Sequence, residues 1–129
     1  AILAADTYLS YNNPDKAIAI IQRSLSGFSG GSLLGALMRV QLGSALATKG
    51  DCKEAIKVWS EIVDNSLLKF LRADASLRSG VCYEQLGESQ KAKEMYQKAA
   101  AESSPESPIA ASAKGLDRAL DLKANVADE

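Results

Sequence analysis

The sequence predicts an all-α protein built as an array of about three antiparallel helix hairpins and closed by a C-terminal capping helix. Three observations carry that expectation. The stretch GDCKEAIKVW (50–59) is written again, in other letters, as GESQKAKEMY (87–96). The segments before each copy place apolar residues at helical spacing. Turn-forming residues fall at the same offset in every copy.

At a shift of 37 residues, Gly43 meets Gly80, Gly50 meets Gly87, Ala55 meets Ala92 and Trp59 meets Tyr96. A weaker third copy lies upstream, where Tyr8, Asn12, Ala17 and Ile21 align with Tyr83, Gly87, Ala92 and Tyr96. Its offset from the second copy is 38, and the extra residue falls in the GFSGG loop at 27–31. Periodic self-similarity of this length is the mark of a repeat architecture, in which each unit leaves an apolar face for the next to cover.

Each copy reads as two helices. In the first, Asn12 tolerates a left-handed turn, Asn13 is placed to cap, and Pro14 suits the first helical position, where its missing N–H costs nothing. In the second, Leu34, Leu37, Met38, Leu42, Ala45 and Leu46 recur at helical spacing. Gly50 then ends that helix. Asp51 with Glu54 three residues on forms a capping box for the next, whose stripe is Ala55, Ile56, Trp59, Ile62 and Val63. In the third, Gly87 stops one helix and Glu88 or Ser89 starts the other. SSPESP (103–108) closes that copy. A last helix follows with Ile109, Ala113, Leu116 and Leu120 on one side, covering the final apolar face. Ala124–Glu129 is expected to fray. The expected organisation is one domain: repeats at about 1–26, 32–66 and 67–104, and a terminal helix at about 106–123. The short turns make the hairpins antiparallel.

Composition narrows the function. The chain has 129 residues, a net charge of -1, 47% hydrophobic and 24% charged residues, and no histidine. The near-neutral charge supplies no field for nucleic acid. No stretch approaches the roughly 20 apolar residues that span a bilayer, so direct membrane insertion by this segment is not expected. Without histidine, the commonest general base and transition-metal ligand are missing. Cys52 and Cys82 form no CxxC or cluster, so no metal site is expected. Starting at Ala1 without Met, the chain reads as a piece of a longer protein.

LGSALATKGDCKEAIKVWSEI and SGVCYEQLGESQKAKEMYQKA together resemble the tetratricopeptide repeat. Gly80, Tyr83, Gly87, Ala92, Tyr96 and Ala99 match the whole family pattern of small residue, aromatic, Gly, Ala, aromatic and Ala. Gly43, Gly50, Ala55 and Trp59 match it too, but Leu46 replaces the first aromatic and Ile62 the last Ala. The first copy keeps Ala5, Tyr8 and Ala17. The resemblance covers about residues 1–105 and implies a right-handed stack. Gly43 and Gly80 are expected to let the second helix approach, and Trp59 and Tyr96 to fill the space between one hairpin and the next. The period exceeds the family's usual 34. The extra length is placed in the helix opening each copy, as in NSLLKFLRADASLRSG. Longer units of this kind look similar to bacterial envelope repeat proteins, including the ancillary subunit of the inner-membrane translocon and the cell-division coordinator. That likeness implies a periplasmic or membrane-tethered setting.

The resemblance further implies a non-catalytic scaffold that binds a protein or peptide on its concave side, which the first helix of each hairpin lines. Carried over, the lining is Ile2, Asp6, Leu9 and Ser10; Leu37, Val40, Ser44, Ala47 and Thr48; and Asp74, Leu77, Val81, Glu84 and Gln85. This lining is apolar with an acidic edge. Ser44, Val81 and Asp6 stand where chaperone-binding members carry a carboxylate clamp, so an apolar or basic segment fits better than an acidic tail. The other reading is that Leu37, Val40, Leu77 and Val81 are covered by the protein's own helices. Self-association through Ile2, Leu3 and Leu9, giving a homodimer, is the alternative function, with a spacer role in an anchored envelope protein beside it.

No catalytic, cofactor-binding or metal residues are expected. Glu84, Glu88 and Glu94, and Asp117 with Asp121, read as charges on solvated helix faces, because raised carboxyl pKa values need an enclosed pocket. SLSGFSGGS lacks the GKS or GKT of a phosphate loop. Lys91, Lys93 and Lys98 interleave with Glu88, Glu94 and Glu102 as ordinary helix pairs. Cys52 and Cys82 are taken as separate thiols packing as small apolar residues. The alternative is a disulfide, which would argue for an oxidising compartment.

Overall fold

The computed structural model describes residues 13–27, 33–65 and 68–127. Every regular element among them is a helix: α1 (Pro14–Leu25), α2 (Leu33–Lys49), α3 (Cys52–Asn65), α4 (Lys69–Gln85), α5 (Ser89–Ala101) and α6 (Pro108–Ala127). The all-helical expectation holds. The chain divides into two compact units, Ala1–Ser66 and Leu67–Glu129.

In the first unit α1 packs on α2, and α2 forms a hairpin with α3. Ala17 and Ile21 of α1 meet Met38, Leu42 and Ala45 of α2, with Ile18, Leu25, Leu46 and Val58 around them. The stripe expected on α3 is largely inside: Ala55, Trp59, Ile62 and Val63 are buried, and Ile56 is half-buried. On α2, Gly35, Val40 and Gly43 are buried as well as Met38, Leu42 and Ala45, so this helix is covered on more than one side.

In the second unit α4 and α5 form the hairpin, and α6 packs mainly on α5 with a smaller contact to α4. Ala92, Tyr96 and Ala99 of α5 meet Ala113 and Leu120 of α6, and Leu77, Tyr83, Ala100, Ile109 and Leu116 pack around them. All four side chains expected to face inward on the terminal helix do so.

The helix stops are alike in the two hairpins. Gly50 has φ 98° and Gly87 φ 77°, a region costly for side chains with a Cβ. The Gly50 N–H donates to the Ala47 carbonyl at 3.0 Å and the Asp51 N–H to the Leu46 carbonyl at 2.8 Å. In the second hairpin Gly87 donates to Glu84 at 3.0 Å and Glu88 to Tyr83 at 2.9 Å. This pair of bonds is the Schellman motif, which satisfies the last carbonyls of a helix. The opening helix of each hairpin is the longer one: α2 and α4 have 17 residues, while α3 and α5 have 14 and 13.

Helix starts match the expectation less well. Asp51 does cap α3, its carboxylate accepting from the Glu54 N–H at 3.3 Å. Asn13 makes no side-chain cap bond; its carbonyl instead accepts from the Ala17 N–H at 3.3 Å, and Pro14 opens α1 as expected. The start of α6 carries a cap that the sequence reading passed over, the Ser107 hydroxyl accepting from the Ala110 N–H at 3.1 Å. The terminal helix, expected to end at about 123, continues to Ala127, and the rest of the expected frayed end, 128–129, lies outside the described residues. Ala124, Asn125 and Val126 include no Gly or Pro to stop it.

Both cysteines are disulfide-bonded and buried, with no free thiol. The reading of two separate thiols is therefore replaced by its alternative. Cys52 opens α3, and Cys82 lies in the last turn of α4.

Candidate functional site: the first-helix faces

The chemistry of each hairpin centres on a glycine and an aromatic ring. A Cβ added at Gly43 would overlap the Trp59 indole, and one at Gly80 would overlap the Tyr96 ring. Each aromatic thus lies over the glycine of its own hairpin, and Tyr96 also belongs to the cluster that α5 forms with α6, as expected of a residue filling the space to the next element. The polar edge of each ring also finds a partner on the first helix. Trp59 Nε1 donates to the Val40 carbonyl at 3.2 Å. The Tyr96 hydroxyl donates to the Glu84 carboxylate. A buried N–H or O–H left unpaired would be costly, so these bonds fix the rotation of the second helix on the first.

This arrangement decides what the first helices present outward. On α2, Leu37 and Thr48 are exposed, Ser44 and Ala47 are half-buried, and Val40 is buried at 7% exposure. The Thr48 hydroxyl is turned onto its own helix, donating to the Ser44 carbonyl at 2.9 Å. On α4, Val81 and Gln85 are exposed, while Asp74, Leu77 and Glu84 are half-buried. Leu77 packs against the core of its own unit. Of the four apolar positions weighed between groove and self-packing, Val40 and Leu77 therefore face inward, and Leu37 and Val81 outward. Ile2, Asp6, Leu9 and Ser10 lie outside the described residues.

The acidic edge is engaged within the second unit. Asp74 holds Arg78 at 2.9 Å, one helical turn on. Glu84 accepts from Tyr96 and stands 3.9 Å from Lys123 of α6. Large apolar side chains remain exposed at the start of each first helix, Leu33, Leu34 and Leu37 on α2 and Phe70 on α4. Each first helix thus offers apolar side chains to solvent, and the carboxylates of α4 already have partners within their own unit.

Two further carboxylates have a role that the sequence did not disclose. Lys93 bonds Asp121 and stands 3.9 Å from Asp117, and Gln97 reaches Asp117 at 3.5 Å. These contacts join α5 to the terminal helix. Lys93 is thus a cross-helix partner, not a member of a pair along its own helix, and Glu102 likewise turns to Arg72 of α4 at 3.2 Å. Lys91 alone keeps the expected local pairing, with Glu88 at 3.3 Å, and its ammonium lies 5.7 Å from the centre of the Tyr83 ring. A charge pattern shows i,i+3 and i,i+4 neighbours, but the closest partner across helices depends on packing.

These contacts give a pH prediction. Burial, and then the hydrogen bond to Glu84, raise the Tyr96 phenol above its ordinary 10.0. The bond to Asp121 raises Lys93 above 10.5, against an opposing desolvation effect. For a group raised on folding, the stabilisation is complete below the unfolded pKa and is lost as pH climbs through the folded one. Urea midpoints should therefore hold steady up to a pH of about 10 and fall above it. Tyr96→Phe should make the fall shallower. A midpoint insensitive to alkali would contradict the assignment.

Among the described residues no group of acidic or cysteine side chains is placed to hold a metal ion. No helix among them is long and apolar enough to cross a membrane. Residues 74–107 match the tetratricopeptide repeat family. That stretch runs from within α4 through α5 to the turn before α6, and so contains the Gly80–Tyr96 contact and the Gly87 stop. No curated protein matches the chain. The same contact and stop recur in the first unit at Gly43, Trp59 and Gly50, 37 residues earlier. The match covers one repeat of the chain, and such repeats are in general protein-interaction modules.

Proposed function

We propose that this protein is a non-catalytic scaffold that binds an apolar segment of a protein partner on the exposed faces of its first helices. The observation carrying the reading is the pair Leu37 and Val81. Both are large apolar residues exposed on the first helices, which also expose Leu33, Leu34 and Phe70 near their starts. Leu9, Ser44, Thr48, Gln85 and the rims of Asp74 and Glu84 complete the proposed surface. Because Asp74 and Glu84 are already paired, apolar fit outweighs charge in choosing the partner. The partner is accordingly an apolar or amphipathic segment, not a strongly basic one. The repeats at about 1–26, 32–66 and 67–104, with the terminal helix, act as one binding domain.

The disulfide supports an oxidising compartment, since such bonds persist in secreted and envelope proteins and are rare where thiols are kept reduced. We place the protein in the bacterial envelope, on the periplasmic side, as its unit length suggests. No nucleic acid is expected among its partners.

The test is a pull-down after cross-linking in extract of the source organism. Leu37→Asp and Val81→Asp should each remove the captured partner while leaving the circular dichroism spectrum unchanged, because both side chains are exposed. Leu77→Asp is the wrong probe, because it places a charge against the core and is expected to unfold the second unit. A partner indifferent to both exposed variants would refute the proposed surface.

A further inference from the structure

The terminal helix carries an apolar face that its own unit does not use. Ala110, Ala113 and Leu120 turn inward and are buried. On a different side, Ala111, Gly115, Ala119, Leu122 and Val126 share one helical stripe and are exposed, Leu122 by 61% and Val126 by 70%. Gly115 differs from the two repeat glycines: a Cβ there would meet nothing within 4 Å, whereas Gly43 and Gly80 are each filled by an aromatic ring. The stripe is small at one end and large at the other.

We propose that α6 pairs with α6 of a second copy of this chain, antiparallel, about a twofold axis passing between Arg118 and Ala119. That single axis places Leu122 of the second copy opposite the Gly115 notch and Val126 opposite Ala111. Large then meets small at both ends. A parallel pair would stack small on small and leave voids, so the stripe is self-complementary in the antiparallel sense alone. Charge agrees with shape. One flank of the stripe carries Lys114, Arg118 and Asp121. In an antiparallel pair like flanks adjoin, and Asp121 of the second copy falls between Lys114 and Arg118. Asp121 remains half exposed despite its bond to Lys93, which leaves it accessible to a second cation. A helix of 20 residues is about 30 Å long and offers a narrow face, so the dimer is small by the standard of permanent complexes and forms reversibly by mass action.

Sedimentation equilibrium of the whole 129-residue chain, from micromolar to millimolar, tests this. A monomer–dimer equilibrium is expected. Leu122→Glu should raise its Kd at least about tenfold. Gly115→Leu should weaken it similarly by filling the notch, yet it should raise the melting temperature, because Leu favours a helix more than Gly does. Adding Leu122→Ala to Gly115→Leu should restore association by exchanging knob and hole. A monomer at every concentration would overturn the proposal, as would a dimer that neither single variant weakens. Neither result bears on Leu37 and Val81, so failure here and failure of the scaffold reading are separate outcomes.

Discussion

Replacing Tyr96 by Ala should destabilise the second unit by about 3–5 kcal/mol, the usual cost of deleting a large buried aromatic. The ring has no exposed surface and belongs to the cluster that joins α5 to α6. It lies over Gly80, whose missing side chain leaves room for it. Removing the ring opens a cavity beside a glycine, and Gly80 has no side chain to move in. The hydroxyl adds a bond to the Glu84 carboxylate, so Tyr96→Phe should cost less, about 1–2 kcal/mol. Urea unfolding followed by circular dichroism separates the two effects. Equal losses for Phe and Ala would mean that the hydroxyl bond, not the packed ring, is the main contribution.

Reduction should have the second large effect. Cys52 and Cys82 are each buried and disulfide-bonded, and removing a native disulfide from a small domain typically costs about 2–5 kcal/mol. Thermal unfolding with and without dithiothreitol should show a clear drop in melting temperature. A protein carrying both Cys52→Ser and Cys82→Ser should melt at the reduced value under either condition. An unchanged melting temperature would remove the stability argument for an oxidising setting. The burial also predicts slow reduction of the folded protein, because thiol–disulfide exchange needs access to a sulfur.

The parts of this fold that could be read from the sequence are those fixed by a single residue's conformational limits. Gly50 and Gly87 take the left-handed conformation that few other residues tolerate. Gly43 and Gly80, each 16 residues before a large aromatic, mark close approach between two helices. Such signals survive when the remaining letters change, which is why the repeat is visible despite little identity between its copies. Features set by packing across helices were less legible. Periodicity marks Val40 and Leu77 as apolar but does not say which apolar side faces a neighbour, and α2 is covered on more than one side. Charge spacing along α5 suggests local pairs, while Lys93 and Glu102 find their partners on α6 and α4. Glu84 reads as a solvated acid, but it receives the hydroxyl of a tyrosine twelve residues later.

The functional account is tested most directly by a photo-cross-linking amino acid placed at Val81, with the same probe at Gln90 as comparison. Both positions are exposed, Val81 on the first helix of its hairpin and Gln90 on the second. Irradiation in extract of the source organism, followed by mass spectrometry of the adducts, should give a defined partner peptide from Val81 and none from Gln90. The adducted peptide should be predominantly apolar. Equal labelling from both positions, or a partner reached only from Gln90, would contradict binding on the first-helix faces.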